Sequence, residues 1–368
     1  MTATAQRLEF TTSLSADLVA EQRRGEILAK PGFGQWFTDH MLTATWTPDA
    51  GWHDAGVRAY APLSLDPATA VLHYAQAIFE GMKAYRHAAG SIWTFRPEVN
   101  GARFARSARR MALPELPVEA FVEAVDLLVR TDADWVPSAS DDGEGSLYLR
   151  PFMFASEVFL GVRPAKQVTF CVIASPAGAY FASGVEPVSI WLSSEYTRAA
   201  PGGTGAAKCA GNYAASLIAQ QEALEHRCDQ VCFLDAVERR WVEELGGMNL
   251  YFVYADGSVV TPELTGTILE GVTRASILEL ASDMGNKVDE RRVSIDEWRE
   301  GVASGDITEV FACGTAAVIT PLGRLAWDGG ELSMGEEPGP VTTSLRQALL
   351  DIQYGRADDA HGWLHRVV

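Results

Sequence analysis

Lys208 stands in the segment GGTGAAKCAGNYAAS, residues 202–216, among glycines and alanines and with no carboxylate in the ten residues before it. The chain has five lysines (Lys30, Lys83, Lys166, Lys208 and Lys287) against 25 arginines, so lysine is not its ordinary surface cation. Small neighbours let a flat ligand come close to the amine. An ammonium taken out of water loses part of its preference for charge, which leaves an amine able to attack a carbonyl. A phosphate-binding P-loop is the rival reading and fails. Ala207 stands where the last glycine of G-x-x-x-x-G-K-[ST] belongs, and Cys209 brings no hydroxyl for magnesium. An ordinary loop lysine is the plain alternative.

Three further stretches could serve the same chemistry. In RWVEELGGMNLYFV, Glu243 and Glu244 are adjacent. An alternating strand turns one of them inward, where a carboxylate needs a cation such as a protonated ring nitrogen. Both being solvated at a strand end is the open alternative. In ILEGVTRASILELA, Gly271 allows close backbone approach where a helix starts, and the N–H groups of Val272 and Thr273 then form an anion seat. In VFACGTAAVITP, Gly314, Thr315 and Ala316 break a strand with small residues and a hydroxyl that could take a phosphate oxygen. Singly, the last two mark only turns. With a lysine and an acid they meet the needs of pyridoxal phosphate: an aldehyde partner, a pyridinium partner and a phosphate cradle.

These residues need elements to hold them. At 368 residues the chain exceeds the size at which one core stops growing, so two domains are expected. Residues NGARFARSARRMAL read as a helix capped by Asn100, a second helix starts near Val118, and SLYLRPFMF and QVTFCVIAS read as strands. The cluster SASDDGEG, 138–145, reads as a loop before the first of these strands. Beyond PAGAYFASG, strands PVSIWLS, QVCFLD, RWVEEL, MNLYFVYA and EVFACG alternate with helices NYAASLIAQQEALEH, TRASILELAS, IDEWREGVAS and TTSLRQALLDI. Asp256-Gly257 marks one hairpin and LGRLAWDGGEL another. The domain boundary falls at 182–194, with an α/β domain on either side.

Composition narrows the partners. A formal charge of −18 repels phosphate backbones and anionic membranes on average, so neither nucleic acid nor membrane is an expected partner. No run approaches a membrane span, and the first 30 residues lack a signal-peptide pattern, so a cytoplasmic protein is expected. Cys171, Cys209, Cys228, Cys232 and Cys313 are an odd set in apolar or small-residue surroundings, as for reduced buried thiols. Cys228 and Cys232 near His226 lie at a helix end entering a strand, and no metal is expected there.

The order AKCAGNYAAS, EELGGMNLYFV, LEGVTRASIL, CGTAAVITP resembles the fold-type IV pyridoxal-phosphate aminotransferases. Within them the chain resembles the branched-chain amino acid aminotransferases, on FGQWFTDHM, HYAQAIFEGMKAYR, FRPEVNGARFARSARRMALP, SLYLRPFMF, PAGAYF and DIQYG, from about residue 30 to the C-terminus. The resemblance implies a small N-terminal α/β domain over 1–181, a linker over 182–194 and a larger pseudo-barrel α/β domain over 195–368 that binds the cofactor. It makes Lys208 the Schiff-base lysine and acid/base, sets Glu244 against the pyridine nitrogen, and sets Tyr213 on the cofactor's phenolic oxygen. Arg103, Thr315 and the N–H groups of Val272 and Thr273 would hold the phosphate. Phe33, Tyr74, Tyr148, Arg150, Tyr180 and the turn Gly314, Thr315, Ala316 would form the substrate pocket, with Leu160 and Val162 reaching in from the second subunit of a homodimer.

The implied reaction moves the amino group of Leu, Ile or Val to 2-oxoglutarate. D-amino acid transamination or aminodeoxychorismate lyase action on the same fold is the alternative. Two positions depart from the family pattern. Gly247 stands where some relatives have threonine, and Ala317-Val318-Ile319-Thr320 replaces a C-x-x-C pair, so no thiol switch is expected at that place.

Overall fold

The structure, a computed structural model, describes residues 8–138, 144–178 and 185–368. The chain divides into two compact units, Met1–Tyr180 with Gln353–Val368, and Phe181–Ile352.

The first unit is built on a mostly antiparallel sheet. Its strands run in the order Phe10–Thr12, Gly51–Ala59, His40–Thr47, Val168–Ala177, Ser146–Ala155, Met82–Arg86, Ile92–Phe95 and Leu364–Arg366, with Ala77–Phe79 paired to Ser146–Ala155. The two central strands pair without a break from Ser146↔Ala177 to Ala155↔Val168. Helices Pro97–Arg110 and Val118–Thr131 are amphipathic, and their aromatic faces meet the sheet where Phe104 and Phe121 pack on Phe170. The first helix starts earlier than its sequence suggests. Pro97 fits the first helical position because its φ is already fixed and it has no N–H to satisfy, so Arg96 is the cap residue. Asn100 lies inside the helix, and its amide donates to Glu80 at 2.8 Å. Of the loop SASDDGEG, residues 139–143 lie outside the described residues.

In the second unit, six strands close on themselves. Val242–Leu245 pairs with Gln230–Leu234, then come Val188–Ser193, Val318–Trp327, Ile307–Gly314 and Asn249–Tyr254, and Asn249 pairs back to Glu244. This ring is a pseudo-barrel within a mixed α/β unit. Leu250, Phe252, Val310 and Trp298 pack in one apolar cluster with Ile190 and Leu245, which drives the closure. Ala219 and Ala223 of the helix Ala210–Glu225 pack in another with Trp191 and Phe233. The hairpin at Asp256-Gly257 forms with Val253 opposite Val259, Gly257 taking φ +79°. The stretch 182–194 contains the ring strand Val188–Ser193. Among the described residues, no helix is long and apolar enough to cross a membrane.

Candidate active site

Lys208 lies two residues ahead of the helix Ala210–Glu225, whose first turn carries Tyr213. The Lys208 amine donates to the Tyr213 hydroxyl at 2.7 Å. The loop before it is held by protein groups. Asn212 donates to the carbonyls of Thr204 and Ala207, both at 2.8 Å, and accepts the Thr204 hydroxyl at 2.6 Å. A Cβ on Gly205 would stand 2.2 Å from the backbone oxygen of Thr267. The small residues around Lys208 therefore also let two backbone segments cross.

Both adjacent glutamates are buried, Glu243 at 5% and Glu244 at 1% exposure. Neither a single inward carboxylate nor a solvated pair describes them, because the segment 265–269 supplies a partner to each. Glu244 accepts the Leu269 N–H at 2.8 Å and is ion-paired at 2.8 Å with Arg198. Burial raises its pKa to about 7, against the lowering influence of Arg198 and of the Leu269 N–H. Glu243 accepts the Thr267 hydroxyl, and burial pushes its pKa up as well.

The helix Val272–Asp283 starts at Gly271, which has no side chain to cap it, and Val272 and Thr273 are buried. Its first N–H groups have no acceptor within the helix and carry the positive end of its dipole. A Cβ on Gly271 would stand 2.1 Å from Asn249 Oδ1, so glycine is required for this approach. The half-buried turn Gly314, Thr315, Ala316 ends at Val318, whose φ of +60° is costly for a β-branched residue. Contacts join these places: Asn249 pairs with both Glu244 and Cys313, and a Cβ on Gly247 would touch the Tyr213 ring at 3.7 Å. An amine held by a phenol, a buried carboxyl and an anion seat thus share one unit. That donor set fits pyridoxal phosphate.

In the first unit Phe33 meets Tyr148 edge-on at 5.0 Å. Arg150 donates to the Tyr148 hydroxyl at 3.2 Å and lies 4.8 Å over the Phe79 ring. Its Nε is buried and has no hydrogen-bond partner among the described residues. Gly81 makes room for the Tyr148 hydroxyl, which a Cβ there would meet at 2.2 Å. Arg103 donates from Nε and Nη2 to the fully buried Glu80 at 2.7 and 2.6 Å. Tyr74 donates to the Leu160 carbonyl, next to the exposed Val162. Tyr180 lies outside the described residues.

Sequence reading did not single out Arg198, Asn212, Phe79 or Glu80. A lone acid in the apolar IFEGM was a signal for Glu80, since a buried carboxylate requires a cation. Arg198 had no such mark, because its partners come from distant segments.

The family model for class IV amino-transferases matches residues 77–325. A probable branched-chain-amino-acid aminotransferase of Streptomyces coelicolor is 62% identical over 352 residues, covering 95% of this chain and 96% of that protein. The branched-chain-amino-acid aminotransferase of Mycobacterium tuberculosis is 54% identical over 368 residues, covering 99% and 100%. The crystal structure of the Escherichia coli branched-chain amino acid aminotransferase superposes with a TM-score of 0.73 at 30% identity, covering 88% of this chain and 99% of that one. The chain belongs to the class IV amino-transferases and, within them, to the branched-chain-amino-acid aminotransferases.

The crossing at Gly205 yields a direct check. Gly205→Ala is expected to lower unfolding free energy by about 1–3 kcal/mol, the cost of overpacking a tight contact. An unchanged midpoint in urea would contradict the rigid crossing.

Proposed function

We propose that the enzyme transfers the amino group of leucine, isoleucine or valine to 2-oxoglutarate in two half-reactions, giving the branched-chain 2-oxo acid and L-glutamate, with pyridoxal 5′-phosphate as cofactor. The observation that carries this is the Lys208 amine on Tyr213 within the unit that buries Glu244. The relatives' names support the reaction, and structures of the Thermus relative carrying N-(5′-phosphopyridoxyl)-L-glutamate and pyridoxamine 5′-phosphate support the cofactor.

When bound, the cofactor supplies an electron sink for the charge left at the substrate's Cα. Lys208 moves the proton at that carbon, and its bond to Tyr213 holds Nζ in one place for both directions of transfer. Glu244 faces the ring nitrogen and favours its protonated form. The N–H groups of Val272 and Thr273, with the Thr315 hydroxyl, hold the phosphate, and Arg103, oriented by Glu80, is its arginine. Arg150 with Phe33, Phe79 and Tyr148 suits both substrates. The rings take an aliphatic side chain in one half-reaction, and the guanidinium takes the distal carboxylate of 2-oxoglutarate in the other. Tyr74, Tyr180 and the turn Gly314, Thr315, Ala316 complete the pocket. Leu160 and Val162, 63% and 88% exposed, are the segment a second copy receives in a homodimer. Five unbridged, buried cysteines support a cytoplasmic setting.

Lys208→Ala is expected to cut turnover by about 10²–10⁴-fold or more, and activity near wild type would sink the proposal. Arg150→Gln should raise KM for 2-oxoglutarate by about 10–100-fold while single-turnover reaction with L-leucine changes little. Equal damage to both half-reactions would remove Arg150 from carboxylate recognition. A panel of L-leucine, D-alanine and aminodeoxychorismate separates this activity from the other reactions of the fold. Val162→Asp should shift mass in light scattering from a dimer toward the 39.9 kDa chain, and an unshifted dimer would place the interface elsewhere.

A further inference from the structure

We propose that Arg198 is a positioning residue for the reaction: its buried guanidinium holds Glu244 charged and aimed, and ties the loop before Lys208 to the segment before the helix Val272–Asp283. The inference rests on the reading that Glu244 serves the cofactor's ring nitrogen.

Three contacts leave one nitrogen of Arg198. Nη1 lies 2.8 Å from Glu244 Oε1, 2.9 Å from the Thr267 carbonyl and 3.4 Å from the Gly205 carbonyl. These partners belong to the ring strand Val242–Leu245 and to the two segments that cross at Gly205. The arginine side chain is only 2% exposed, so water does not screen the pair. A carboxylate at this depth, left without its cation, is strongly destabilised.

The surrounding charges leave this role to Arg198. Glu243 comes from the same strand, Lys208 from the loop ahead of its helix, and Cys313 from the strand Ile307–Gly314. The Cys313 thiol is pushed far up by burial and stays neutral. Glu243 accepts one hydroxyl, and its Oε2 is buried with no partner among the described residues, a poor setting for a second negative charge. The guanidinium is thus matched to a single carboxylate, that of Glu244.

The pH dependence has a definite sign. Glu244 has a folded pKa of about 7, raised from 4.5, so its contribution to stability is complete below about 4.5 and is lost as pH rises through about 7. Removing the Arg198 charge raises the folded pKa further, which deepens that loss and extends it to higher pH.

The test follows melting of the cofactor-free protein from pH 5 to 9 in wild type, Arg198→Lys and Arg198→Gln, each with and without Glu244→Gln. Arg198→Gln should lose more melting temperature relative to wild type at pH 9 than at pH 5, and Glu244→Gln should abolish that difference. Arg198→Lys keeps the charge and should follow the wild-type pH profile at lower stability. A deficit in Arg198→Gln that is equal at every pH would overturn the proposal. So would a steeper profile than wild type in Arg198→Lys, which decides the matter if the glutamine variant does not fold. Pyridoxal phosphate titration by tryptophan fluorescence at pH 8 gives the second readout, with affinity expected to fall about tenfold or more in Arg198→Gln. Unchanged affinity in that variant would overturn the aiming role. Failure of wild type to bind at all would instead sink the cofactor assignment, whatever the melting profiles show.

Discussion

A carboxylate exposed by only 1% of its surface stays charged only if cations and N–H groups replace the water it has lost, and Glu244 is such a group. Its strand closes the six-strand ring through the pair with Asn249, so the acid is fixed by the architecture itself. Arg198 and the Leu269 N–H supply part of the compensation, yet burial still outweighs them and leaves the pKa near 7. A protonated ring nitrogen would supply the rest. The binding energy of a pyridinium cofactor thus includes relief of a cost that the folded protein already carries.

The rest of the second unit follows from that constraint. The segment 265–269 partners both buried acids, so it cannot move freely, and Gly205 must pass beside Thr267 with no side chain. Asn212 then closes the loop on its own helix, and Lys208 emerges at the end with Tyr213 as neighbour. The first unit repeats the principle with the buried pair Glu80 and Arg103, while Arg150 keeps a buried Nε for an acceptor that the described residues do not provide.

The sequence made the parts of this chemistry legible wherever the signal is local. Lys208 among small residues, Gly271 before a helix and the Gly314 turn each have a nearby reason, as do the strands whose alternation matches a half-covered sheet. What stayed hidden depends on contacts distant in sequence. Arg198 meets Thr267 across 69 residues, and Glu80 meets Arg103 across 23. Asn100 looked like a cap because caps are local, but Pro97 had already opened the helix and Glu80 claimed its amide. The two adjacent glutamates misled for the same reason, since strand alternation takes no account of a distant segment that can cover both.

The central claim is that one site exchanges an amino group between an aliphatic amino acid and a dicarboxylic 2-oxo acid. The most direct measurement is stoichiometric: enzyme loaded with pyridoxal phosphate is mixed with L-leucine alone, then with 2-oxoglutarate, while absorbance and released products are followed. The account predicts loss of the cofactor's visible band with one equivalent of branched-chain 2-oxo acid per site, then its return with one equivalent of glutamate. A band that does not respond to L-leucine, or that is lost without release of the 2-oxo acid, would contradict it.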